Sequence, residues 1–145
     1  MFPIQNTVTK LIVANTSTAT NATTTGLVDT LGFDSIGVDV MLDSQAATSS
    51  NPATLKLQEC DTSDGTYANI TGLVGDATDG FTIPAADTDN AQMLRLNVDA
   101  RARMRYLKLL ITPAGATQIV GGTAVCGKAK DSTVARASMD LVADA

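Results

Sequence analysis

The sequence contains no histidine and no tryptophan, and it has only one glutamate, Glu59, among fifteen acidic residues. Histidine is the usual general base near neutral pH and the commonest metal ligand, so its absence excludes histidine-based catalytic triads. Cys60 and Cys126 are not part of a CxxC motif, so a zinc site is not supported. No nucleophile elbow, P-loop or glycine-rich dinucleotide motif is present. The sequence therefore predicts a protein that is not an enzyme and binds no cofactor or metal.

Aromatic residues make up only 3% of the chain, and the net charge is −5. Few aromatic faces disfavour a stacking surface for single-stranded nucleic acid or sugars, and the negative charge disfavours nucleic acid and anionic membranes. No apolar run approaches the roughly 18 residues that a membrane span needs. We therefore expect no nucleic-acid or membrane partner, and a core built from aliphatic side chains.

The first residues show neither the basic nor the apolar region of a secretory signal, so we expect synthesis in a cytoplasm. In a reducing compartment Cys60 and Cys126 are expected to be buried free thiols. At 145 residues the chain fits one domain that buries roughly two thirds of its unfolded surface.

Alternation of apolar and polar residues recurs along the chain and predicts strands. The clearest segments are 36–42, 55–58 and 94–99, and Tyr106–Thr112 (YLKLLIT) reads as a central strand covered on both faces. Weaker candidates are 8–14, 67–71, 80–83 and 118–126. Turn signals between them include 34–35, 49–52, 64–65, 76–80 and 113–115. The pattern predicts a single-domain all-β antiparallel sandwich or jelly roll.

Two Asp- and Gly-containing segments, Asp61–Gly65 and Asp76–Gly80, superficially resemble calcium loops. They lack the ligand spacing and the following glutamate of an EF-hand, so we interpret them as β-turns. We divide the chain into 1–25, an arm or exposed first strand; 26–130, the sandwich; and 131–145, a C-terminal tail that fits helix and strand about equally.

Basic residues concentrate in one region, since half of the ten lie between Arg95 and Lys108. Within it Arg101, Arg103 and Arg105 occupy alternate positions, which would project to one side of an extended segment. Arginine binds carboxylates and phosphates bidentately and favours interfaces. We therefore select these three arginines as a candidate interface, expected to meet acidic loops of a neighbouring copy or of a partner.

Three segments resemble small structural proteins of tailed phages, the head decoration or cement proteins with a jelly-roll fold. They are LKLQECDTSDGTYANITGL (Leu55–Leu73), GFTIP (Gly80–Pro84) and MLRLNVDARARMRYLKLLITPAG (Met93–Gly115). The resemblance implies a virion protein, made in the cytoplasm of a bacterial host, that binds the outside of an expanded phage head. It also implies the major capsid protein as partner and a homotrimer as the assembly.

Two other functions remain open from the residues. One is a tail- or fibre-associated adhesin domain of a phage, which would be present in few copies per particle. The other is a calcium-stabilised cell-surface β-domain, whose melting temperature would fall when a chelator removes the metal.

Overall fold

The computed structural model describes residues 7–44, 52, 54–86 and 90–129, and these form eight β-strands and one short 3₁₀ helix, Ala100–Ala102. The described residues include no α-helix. The strands are β1 (Thr7–Thr18), β2 (Thr24–Asp29), β3 (Phe33–Leu42), β4 (Thr54–Cys60), β5 (Ala68–Val74), β6 (Gln92–Asp99), β7 (Tyr106–Thr112) and β8 (Gln118–Ala129). No helix in the described part of the chain is long and apolar enough to cross a membrane.

The strands form two four-stranded antiparallel sheets, in the orders β1-β8-β3-β6 and β2-β7-β4-β5. Strands pair from the ends of the chain inwards: β1 with β8, β2 with β7, β3 with β6, and β4 with β5. This is the connectivity of a jelly roll, in which a long antiparallel ladder is rolled into two facing sheets. The prediction of an all-β sandwich is confirmed.

The core lies between the two sheets and is filled by alternate residues of each strand. In the first sheet β3 contributes Val38, Val40 and Leu42, each fully buried. In the second sheet β7 contributes a fully buried row of three residues, Leu107, Leu109 and Ile111. Each such side chain contributes about 1.5–3 kcal/mol when it leaves water, so the aliphatic core expected from the scarcity of aromatics holds the sheets together.

One face of β7 departs from the prediction for Tyr106–Thr112. Only alternate residues are fully buried, while Tyr106, Lys108, Leu110 and Thr112 are half-buried on the outer face. The strand is central, between β2 and β4, but its sheet has a partner sheet on one side only. The nearly continuous apolar sequence of β7 predicts that both of its faces are covered, and this prediction is therefore wrong.

The turn predicted at residues 34–35 is also misplaced, because both residues lie inside β3. The chain turns earlier, where Phe33 N donates to the Thr30 carbonyl at 3.0 Å and Gly32 has a φ of 86°. Glycine adopts this left-handed conformation without steric cost. The weak strand predicted at 80–83 is reduced to an isolated bridge between Gly75 and Phe81.

The N-terminal segment predicted as an arm or exposed first strand is partly described. Its residues 7–18 form β1, an edge strand that pairs with β8 and buries Val8 and Val13. Residues 24 and 25 begin β2. Residues 1–6 and the predicted tail, 131–145, lie outside the described residues.

The two cysteines lie in different sheets and are both free. Cys126 is fully buried on the inner face of β8, and burial raises the pKa of its thiol, a shift that Lys10 partly opposes. Cys60, at the end of β4, is only half-buried, so the expectation that both thiols are buried is wrong for Cys60.

Candidate interaction surface

The three candidate arginines lie on the connection between β6 and β7, which is not a strand. Its first part is the 3₁₀ helix, whose N-cap residue Asp99 accepts a hydrogen bond from Arg101 N at 3.1 Å. The same carboxylate takes two bonds from the Arg101 guanidinium, at 2.9 and 2.8 Å. Because the backbone turns here, the alternation of the arginines does not place them in one row of a strand.

Arg103 reaches the second sheet at the chain's single glutamate. Its Nη1 donates to Glu59 Oε1 at 3.3 Å, and the neighbouring Met104 N donates to Glu59 Oε2 at 3.1 Å. The Glu59 side chain is only 14% exposed, against 34% for Arg103. Glu59 therefore fastens this connection to the end of β4.

Arg105 fastens the same connection to the end of β2. Its Nε and Nη2 donate to the two carboxylate oxygens of Asp29 at 3.0 and 2.8 Å. These hydrogen bonds hold the pKa of Asp29 below its ordinary value, although partial desolvation opposes them. Thr30 adds two bonds to the Arg105 carbonyl, from its N at 2.9 Å and its Oγ1 at 2.8 Å.

The arginine segment (residues 101–105) is thus held by carboxylates from three strands, Asp99 of β6, Glu59 of β4 and Asp29 of β2. A guanidinium has five N–H donors, so the bidentate pairs of Arg101 and Arg105 leave donors available. The Arg101 and Arg105 side chains are 59% and 44% exposed. Contact of Arg101, Arg103 and Arg105 with a neighbouring copy or another partner stays a prediction.

A second feature, not predicted from the sequence, is a groove of about 510 Å³ on the outer face of the first sheet. Most of its lining residues belong to β3, β6 and β8. Arg95 of β6 makes a bidentate pair with Asp39 of β3, at 2.6 and 2.7 Å. The lining includes Ser35, Gly37, Val125 and Gly127, with Arg95, Asn97, Asp99 and Arg101.

The acidic segments Asp61–Gly65 and Asp76–Gly80 form turns, as predicted. Gly80 N donates to the Ala77 carbonyl at 3.0 Å, and Gly65 N to the Thr62 carbonyl at 3.4 Å. Asp76 has a φ of 56°, and its side chain accepts from Ile83 N at 3.0 Å. Within the described ranges, no group of three or more histidine, cysteine or acidic residues is placed to hold a metal ion.

No protein-family model matches the sequence, and no curated protein matches it significantly. Solved structures match it in fold. A chain in the structure of infectious bursal disease virus, Gx strain, aligns with a TM-score of 0.51 and 12% identity, over 86% of this chain and 32% of that chain. The chain thus spans about a third of the viral chain.

Two further matches have lower TM-scores. The SPBc2 prophage-derived protein YomS aligns with a TM-score of 0.45 and 13% identity, over 83% of this chain and 93% of YomS. The CBM22-1–GH10 modules of Clostridium thermocellum xylanase 10B align with a TM-score of 0.48 and 8% identity, over 87% of this chain and 26% of that one. The order of the described strands and the match to the viral chain define the fold class as a jelly roll.

Proposed function

We propose that this chain is a non-enzymatic structural protein of a virion, and specifically a decoration or cement protein of a phage head. The observation that carries the proposal is the jelly-roll fold of the described strands. A chain in the structure of a virus has a similar fold. The resemblance of residues 55–73, 80–84 and 93–115 to phage decoration proteins supports the finer assignment. The acidic net charge agrees with a partner that is a protein surface and not nucleic acid or membrane.

In this function the chain binds the major capsid protein on the outer surface of the expanded head, as a homotrimer that bridges neighbouring capsid subunits. A protein that binds only the assembled lattice raises the free energy of its disassembly by mass action. Because many copies bind in a symmetric array, a modest free energy of binding per copy adds up to a large stabilisation of the particle. The sandwich supplies a rigid body, and the arginine segment supplies donors for acidic loops of the capsid or of a neighbouring copy.

The first test is the copy number of the chain in purified particles, measured by quantitative mass spectrometry against the major shell protein. A ratio near one to one supports decoration, since a cement protein occupies every equivalent position. A ratio of a few per hundred contradicts decoration and favours the tail- or fibre-associated alternative. Absence from the particles overturns the virion assignment.

The second test addresses the arginines. Replacing Arg101, Arg103 and Arg105 together with alanine is expected to weaken binding of the purified protein to undecorated heads. Because each arginine also pairs with a carboxylate of its own chain, urea unfolding must be measured on the same variant. Particle binding at the wild-type level contradicts the interface, and loss of folding assigns the arginines a structural role.

The single variant Arg101→Ala separates an effect on particle binding from an effect on the stability of the fold. Its carboxylate partner, Asp99, is the last residue of β6 and lies only two positions earlier in the chain, so this pair does not join the connection to a distant strand. We expect this variant to keep the stability of the wild type and to lose part of the particle binding. Arg103→Ala is the matched comparison, because it removes the bridge to β4.

A further inference from the structure

Among the described strands each sheet has two edges, and three of these four edges carry features that discourage pairing with another strand. β1 has two register shifts, between Leu11 and Val13 and between Val13 and Thr16. β5 has a register shift against β4 and contains Gly72 at a φ of 85°. β2 is only six residues long. It also lies so close to β1 that a Cβ on Gly26 would be 2.7 Å from the Ile12 carbonyl oxygen, so β1 covers part of this edge.

The fourth edge, β6, has none of these features in the described structure. Its register against β3 is continuous from Gln92 to Asp99, without a bulge or a proline. Asp39 neutralises the charge of Arg95. The middle of the strand therefore carries no uncompensated charge that would oppose pairing with another strand. An eight-residue regular edge is a template for a further antiparallel strand.

The sequence of β6 is complementary to itself when two copies run antiparallel with Asn97 on the symmetry axis. In that register Arg95 lies opposite the second copy's Asp99, and Asp99 lies opposite its Arg95. Leu96 lies opposite Val98 on the core side. Opposite charges and apolar residues directly across an antiparallel pair are the combinations that stabilise it.

Asn97 fits the axis for a second reason. Its side chain is exposed and makes no hydrogen bond to the described residues. A side-chain amide carries both donors and an acceptor, so two Asn97 side chains related by a two-fold axis satisfy each other. Asn97 also borders a second groove, of about 230 Å³, between β6 and β5, which leaves space beside the strand.

We propose that β6 is an assembly edge at which two copies of this chain pair antiparallel about a two-fold axis through Asn97. Asp39, Arg95, the second copy's Asp99 and its Arg101 then alternate in sign across the contact. Such a contact is isologous and closes after two copies. The proposed two-fold contact is inferred from the geometry of β6 and does not depend on the decoration function. It is also distinct from the threefold contact that a trimer would use.

Register-specific crosslinking tests this pairing in the full-length protein. Residues directly opposite in an antiparallel pair have Cα atoms about 4.5–5.5 Å apart, within the range of a disulfide. In a Cys60→Ser background, Asn97→Cys is expected to give a covalent dimer on mild oxidation. Met93→Cys, 71% exposed on the same strand and face, is the matched control, because position 93 does not meet itself in this register.

We expect at least about tenfold more covalent dimer from Asn97→Cys than from Met93→Cys. A denaturing gel reports this dimer whether or not the chain also forms trimers. Equal crosslinking of the two variants, or none from Asn97→Cys, overturns the proposal. Should Asn97→Cys fail to fold, a mixture of the single variants Arg95→Cys and Asp99→Cys must crosslink, whereas each alone must not.

A charge reversal gives an independent readout. Arg95→Glu places like charges opposite each other at two positions of the dimer, and sedimentation velocity is expected to show dimer dissociation at about tenfold higher protein concentration. Adding Asp99→Arg restores opposite charges and is expected to recover most of that loss. A dissociation midpoint unchanged by Arg95→Glu contradicts the register.

Discussion

Glu59 and Arg103 join the connection between β6 and β7 to the end of β4, with Nη1 of Arg103 3.3 Å from Oε1 of Glu59. The second carboxylate oxygen accepts from Met104 N, so one acidic side chain fixes two consecutive residues. The jelly-roll fold brings together residues that are 44 positions apart in sequence. The chain's only glutamate thus has a structural role at the end of the sandwich that carries the arginine segment.

Replacing Glu59 with alanine is expected to lower the free energy of unfolding by about 1–2 kcal/mol, because hydrogen bonds to charged groups contribute this much when partly shielded from water. Urea unfolding measures the change. Glu59→Gln is expected to lose roughly half as much, since an amide oxygen still accepts from Met104 N. Asp61→Ala, at an exposed turn position, is the control, and a cost for it as large as that of Glu59→Ala contradicts the assigned role.

The Asp29–Arg105 pair is expected to make stability fall with acidification. The pKa of Asp29 is lower in the folded chain than its ordinary value of 3.8, chiefly because Arg105 donates to it. The carboxylate therefore stabilises the fold at pH values above 3.8, and this contribution is lost as the pH falls through the lower folded-state pKa. Both side chains are more than a third exposed, so screening keeps the effect below about 1 kcal/mol.

The measurement is the difference in unfolding free energy between the wild type and Asp29→Asn as a function of pH. We expect the difference to be constant between about pH 7 and pH 5 and to shrink in more acidic solution. Raising the salt concentration should reduce it, since exposed charges are screened. A difference that persists unchanged at the acidic end would show that the carboxylate charge of Asp29 is not what stabilises the fold.

The two cysteines are expected to react at very different rates with a thiol reagent. Cys126 is fully buried, and desolvation raises the pKa of its thiol, so the reactive thiolate is scarce as well as shielded. Cys60 is half-buried at a strand end. The native protein should therefore show one fast thiol per chain and the denatured protein two.

The variant Cys60→Ser provides the control for this assignment. It should remove the fast reaction and leave the slow one, whose rate then reports how often the sheet opens around β8. Fast labelling of Cys126 in this variant would contradict its position in the core.

Alternation along the chain was sufficient to predict most of the strands, because one face of each strand packs against the other sheet. This signal predicts β3, β4 and β6, and weaker forms of it predict β1, β5 and β8, whereas β7 is predicted from its nearly continuous apolar sequence. β2 was missed since Thr24, Thr25 and Gly26 offer few large apolar side chains. Its place in the sheet depends on β7, which pairs with it over all six residues.

The candidate surface was less predictable, because it depends on the register between distant strands. The basic character of residues 101–105 is visible in the sequence, but their partners are not. Asp29 lies 76 residues from Arg105, and Asp39 lies 56 residues from Arg95. A one-residue slip in strand register moves every side chain to the opposite face, so such pairs follow from the assembled sheets and not from local pattern.

The two faces of β7 can be separated by a pair of adjacent substitutions. Leu109 is fully buried between the sheets, whereas Leu110 is half-buried on the outer face. Leu109→Ala is expected to cost about 2–5 kcal/mol, because it removes buried surface and leaves a cavity that the rigid sheets close only in part. Leu110→Ala is expected to cost about 1 kcal/mol or less, since water already reaches that side chain.

Urea unfolding of the two variants measures this contrast, with the slope of the transition expected to stay that of the wild type. A cost for Leu110→Ala as large as that for Leu109→Ala would mean that the outer face of the second sheet is covered in solution. Comparing the two variants over a range of protein concentrations distinguishes the causes: a cover made by another copy disappears on dilution, and a cover made by the chain itself does not. The same pair of leucines therefore tests both the burial pattern of β7 and the assignment of self-assembly to the β6 edge instead of to this face.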